Sequence, residues 1–111
     1  MTERTILPDA LLTHAARWIQ SGEYGEAIYT LRRFLSCPDS VWPDARCEAM
    51  LLLARCCLHE GSRTEAERWL LRACAETPQC PKPWLEAAAY YETLLPQAAA
   101  FFAARAAAAQ G

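Results

Sequence analysis

Two histidines, six cysteines and a scatter of carboxylates are the groups in this 111-residue chain that carry catalytic or ligating chemistry. General acid–base work needs a titratable side chain held against a second polar group. His14 and His59 stand alone, with no obvious carboxylate or nucleophile partner, and read as surface or groove-lining residues. Glu65 and Glu67 fall at the start of a helical pattern, where capping and compensation of the helix dipole account for them. The sequence holds no glycine-rich phosphate loop and no HExxH. Cys37, Cys47, Cys56, Cys57, Cys74 and Cys80 show no CxxC pair, and the adjacent Cys56 and Cys57 point in different directions around a helix. They read as reduced thiols serving as small hydrophobes. Neither catalysis, a cofactor nor a metal is expected, and recognition is left.

Composition narrows what is recognised. Hydrophobic residues make up 53% of the chain, mostly Ala and Leu with little β-branched patterning, which suits packed helices and one domain. A formal net charge of −2 supplies no field for nucleic acid or an anionic membrane surface. No apolar run approaches the roughly 20 residues that span a bilayer. MTERTILPDALL lacks the basic and apolar segments of a secretory signal. The expected setting is cytoplasmic, with a protein or peptide segment as partner.

Six helical segments position whatever binds. After a lead-in over residues 1–7, the first runs from Pro8 to about Gln20, with Leu11, Leu12, Ala15, Trp18 and Ile19 apolar and Gly22 as its stop. The second covers about 24–36, with Ala27, Ile28, Leu31, Phe34 and Leu35. The third starts at Pro43 or Asp44 and ends near Glu60. Gly61 stops it, and Ser62 with Glu65 forms a capping box for the fourth, about 63–77, whose stripe is Ala66, Trp69, Leu70 and Ala73. A PQCPKP connector leads to the fifth, about 82–93, and Pro96 opens the sixth, about 97–109.

SGEYGEAI and EGSRTEAE carry the same turn and helix start, with Gly22, Glu26 and Ala27 corresponding to Gly61, Glu65 and Ala66. Trp84, Ala88 and Tyr91 add the Trp, small residue and Tyr of a repeat's first helix. The pattern resembles a tetratricopeptide repeat. The offset between the first two copies is 39 residues, against about 34 usually. The excess falls in residues 38–44, which read as a lengthened loop or as a first helix extended by a turn, with Trp42 expected to cover the edge of the core. Ala66 and Ala100, 34 residues apart, put the third copy in register. The resemblance implies an all-α solenoid of three helix-turn-helix hairpins, at about residues 8–38, 43–78 and 81–109, wound as a right-handed superhelix with the first helices lining a concave face.

On that face the inward positions are Leu12, Ala16, Ile19 and Gln20, then Leu51, Arg55, Leu58 and His59, then Leu85, Ala89 and Glu92. This is a largely apolar channel with one central cation, Arg55, suited to an apolar helix or extended peptide. Chaperone-binding members of the family hold a terminal carboxylate with Lys, Asn and Arg; here only Arg55 is so placed and Asn is absent. Arg55 is therefore expected to orient a single acidic group on the partner. KPWLEAAAYYE following ETPQCP is also similar to repeats behind the catalytic domain of some bacterial family 2 glycosyltransferases, which implies an appended repeat domain of such an enzyme. The last segment, QAAAFFAARAAAA, has almost no charge beyond Arg105 and lacks the polar face of a terminal cap. It reads as the end of an excerpt from a longer chain, or as a self-association surface forming a homodimer.

Overall fold

The structure, a computed structural model, describes residues 8–36 and 43–110. Six helices follow in order: α1 (Pro8–Gln20), α2 (Tyr24–Ser36), α3 (Pro43–His59), α4 (Arg63–Glu76), α5 (Pro81–Tyr91) and α6 (Pro96–Gln110). Each lies within two residues of its expected bounds, because the stops and starts are local chemistry. Cys37 and Trp42, with most of the lengthened loop, lie outside the described residues.

The first two hairpin turns are the same structure 39 residues apart. Gly22 and Gly61 have φ of +78° and +82°, the left-handed region where a Cβ is penalised. The amides of Glu23 and Gly22 donate to the carbonyls of Trp18 (2.8 Å) and Ile19 (3.0 Å), and those of Ser62 and Gly61 to Cys57 (2.8 Å) and Leu58 (3.0 Å). This crossed pair satisfies the last carbonyls of α1 and α3 and folds α2 and α4 back. Ser62 occupies the N-cap position of α4, but its side chain makes no capping bond, so the expected capping box does not form.

The third turn is built differently. The amides of Leu94 and Leu95 both donate to the carbonyl of Tyr91, at 3.1 and 2.8 Å. The Ala66 amide donates to Ser62 and the Ala99 amide to Leu95, so Ala99 rather than Ala100 is the counterpart of Ala66. The structural offset is 99 − 66 = 33 residues, one shorter than the sequence pairing. Accordingly Ala106, 33 residues after the buried Ala73, is the position where α6 meets the core.

Helices pack chiefly against their sequence neighbours: α1 on α2, α2 on α3, α3 on α4, α4 on α5 and α5 on α6, with α4–α5 the thinnest junction. The molecule measures 54 × 31 × 19 Å. One hydrophobic cluster runs through it, from Leu11, Ala15, Leu31 and Phe34 through Met50, Leu53 and Leu70 to Trp84 and Ala106. α3 sits at its centre and is buried over most of its length, in keeping with a run (MLLLARCCL) that is apolar except for Arg55. The buried hydroxyls of Thr30 and Thr77 donate to the carbonyls of Glu26 (2.8 Å) and Ala73 (2.9 Å), four residues back. Trp18, expected in the core stripe of α1, is 37% exposed.

Candidate partner-binding face

The first helices carry the candidate face, and α3 and α5 are joined there by two ion pairs. Lys82 Nζ lies 2.7 Å from Glu48 Oε1, and the Arg55 guanidinium is paired with the Glu86 carboxylate. The partners are separated by 34 and 31 residues in sequence. That spacing is close to the 33-residue offset between the second and third hairpin turns. The charge pattern carried this signal, but sequence periodicity treats each helix alone and missed Glu48, Lys82 and Glu86.

These pairs correct the role expected of Arg55. Its guanidinium is engaged by Glu86, whose hydrogen bond also raises the Arg55 pKa, so it is not an unclaimed cation awaiting a partner's acid. Leu51 is corrected too: it is 0% exposed and belongs to the core, because it lies on the side of α3 that packs inward, away from exposed Arg55 and Leu58. His59 is exposed, with its ring stacked on Tyr24 at 4.2 Å and 1° between planes.

The other residues are distributed unevenly. Leu58 is 39% and Leu85 48% exposed; Ala89 is exposed on the same helix as Leu85, and Glu92 is exposed just past its end. Arg55, Leu58 and His59 line an open depression of about 310 Å³. On α1, Ala16 and Gln20 are exposed, whereas Leu12 and Ile19 are half-buried against the core. α1 packs chiefly on α2, so its four candidates are a flank rather than a wall shared with α3.

Polar contacts elsewhere fasten helices. Arg46 grips Glu76 with Nε and Nη2, both at 3.0 Å, and its Nη1 donates to the Leu35 carbonyl at 3.2 Å, tying the end of α2 to α3 and α4. Arg46 and then Arg72 hold the Glu76 pKa below the ordinary carboxylate value. The Tyr90 hydroxyl donates to Glu67 at 2.8 Å across the α4–α5 junction. Burial dominates the thiols. It raises Cys47 and Cys57, and pushes Cys56 to about 11 and Cys74 to about 12. The described cysteines are free thiols, four of them buried.

Among the described residues no three His, Cys, Asp or Glu side chains are grouped to hold a metal ion, and no helix is long and apolar enough to cross a membrane. What the face offers is apolar contact over a floor of paired charges. Comparison of the chain with family models, curated proteins and solved structures gave no match.

Proposed function

We propose that the chain is a protein-interaction module, a right-handed solenoid of three tetratricopeptide-like hairpins whose α3–α5 face receives an apolar segment of a partner protein. The observation that carries this reading is the exposure of Leu58 and Leu85 on neighbouring first helices whose facing charges are already paired. Large apolar side chains left in water beside neutralised charge favour association by contact area rather than by a net electrostatic pull. The repeat reading draws support from the two identical glycine turns, the neighbour-to-neighbour packing and the one-repeat spacing of the α3–α5 ion pairs. The segment in the groove is an amphipathic helix or extended strand with its apolar side inward.

The test is a pair of charge insertions, Leu58→Asp and Leu85→Asp, at exposed positions where the fold tolerates a carboxylate. A partner captured by the parent protein should bind each variant about tenfold more weakly, the effect of losing one moderate contact of roughly 1–2 kcal/mol. Far-ultraviolet circular dichroism should be unchanged. Equal binding by parent and variants would remove the face from consideration.

A further inference from the structure

The hydrogen bonds at the three turns align the hairpins residue by residue. The carbonyls of Trp18, Cys57 and Tyr91 each accept a 2.8 Å bond from the amide just before the second helix, that of Glu23, Ser62 or Leu95. One turn back on the first helices stand His14, Leu53 and Ala87. On the second helices the amides of Ala27, Ala66 and Ala99 donate to the carbonyls of the same three residues. One turn further on are Leu31, Leu70 and Ala103, and one more turn brings Leu35, Cys74 and Ala107. Positions that face a helix's own hairpin mate are buried in every hairpin: Leu11, Met50 and Trp84 on the first helices, Phe34, Ala73 and Ala106 on the second.

The remaining positions divide differently. Leu53, Cys57, Ala87 and Tyr91 are buried on α3 and α5, which each pack on a preceding hairpin, whereas on α1 His14 is exposed and Trp18 is 37% exposed. Leu31, Leu70 and Cys74 are buried on α2 and α4, which each pack on a following hairpin, whereas Ala103 and Ala107 are exposed on α6. Among the described residues no helix precedes α1 or follows α6. The end helices therefore carry the two halves of one inter-hairpin junction, both open.

We propose that the chain associates head to tail, α1 of one copy seating on α6 of another so that Trp18 lies over Ala103 and Ala107. The contact continues an interface that the fold already makes twice, at α2–α3 and α4–α5. Size fits as well. Ala107 and Trp18 stand in the places of Cys74 and Tyr91, so a small residue on a second helix again meets a large ring on the first helix that follows. No charge on α6 opposes the contact, because Arg105, its one charged residue, is held over the Trp84 ring at 5.0 Å. Such an interface is heterologous: each added copy leaves one α1 and one α6 open, and growth does not stop at two.

Sedimentation velocity of the full chain over a wide concentration range tests this. The weight-average mass should climb past that of a dimer without a plateau. Ala103→Glu and Trp18→Gln, both at exposed positions, each set a polar group in an apolar junction and should weaken association at least about tenfold with the parent's helicity kept. Ala107→Glu and His14→Glu repeat the test on each side. An equimolar mixture of the Ala103→Glu and Trp18→Gln chains should form a one-to-one dimer and go no further, since one intact α1 and one intact α6 remain. Leu58→Asp and Leu85→Asp should leave association unchanged, which separates a failure here from a failure of the groove reading. A parent chain that stays monomeric throughout, a Trp18→Gln chain that still dimerises through α6, or folded variants that do not complement each other would each overturn the proposal.

Discussion

Replacing Trp84 by alanine tests how the third hairpin is held. The indole is 7% exposed, 6.0 Å from the Phe102 ring and 5.0 Å from the Arg105 guanidinium carbon, and its N–H donates to the Pro78 carbonyl. These contacts lie within α5–α6 and to the α4–α5 connector, so the side chain does more to join α6 and the connector to α5 than to press α5 onto α4. Truncating a buried Trp costs about 3–5 kcal/mol. Within that sum the hydrogen bond contributes about 1 kcal/mol and the cation–ring contact about 0.5–1 kcal/mol. Domains of this length have a total stability of roughly 5–15 kcal/mol, so the loss is a fifth of it or more. Urea unfolding followed by far-ultraviolet circular dichroism reads the change directly. Trp84→Phe keeps the stacking and deletes the donor, so it should cost about 1–2 kcal/mol, well short of alanine. A Trp84→Ala loss under about 1 kcal/mol, the range of ordinary surface changes, would refute the packing argument. Equal losses for the two variants would refute the division between packing and hydrogen bond.

Three further outcomes are expected. Gly22→Ala and Gly61→Ala should each destabilise by about 1–2 kcal/mol through backbone strain alone, since nothing lies within 4 Å of either added Cβ, whereas Gly25→Ala within α2 should stabilise by about 0.5–1 kcal/mol; thermal melts of the three variants check this contrast. Arg46→Ala should cost about 1–2 kcal/mol in denaturant titration, because its partly buried guanidinium serves both Glu76 and the Leu35 carbonyl, while Arg72→Ala, exposed, should cost under about 0.5 kcal/mol. Stability should fall as pH rises above the ordinary thiol value of 9.0 and continue falling toward about 11 to 12: the folded state holds the Cys56 and Cys74 protons more tightly, so in that window the unfolded chain binds fewer protons and is favoured. Cys74→Ala should flatten that slope, which unfolding midpoints measured across the pH series will show.

Local chemistry made the helices legible. Gly22 and Gly61 mark two stops because only a residue without Cβ takes that backbone angle cheaply, and Pro81 and Pro96 open helices because their missing amides cost nothing there. The apolar stripes of α2 and α4 point inward as their spacing requires, with Ala27, Leu31, Ala66, Leu70 and Ala73 buried. Periodicity assigns each residue a direction about its own helix axis, and there its information ends. Whether Leu51 faces water or a neighbour depended on how completely α2 and α4 wrap α3, so a nominal groove position became core. Whether Arg55 was unclaimed depended on the height at which α5 lies beside α3, which set Glu86 against it and Lys82 against Glu48. Pairings between helices are fixed by the offset and rotation of one packed element on another, and these are sums over many weak contacts that no single stretch of sequence encodes.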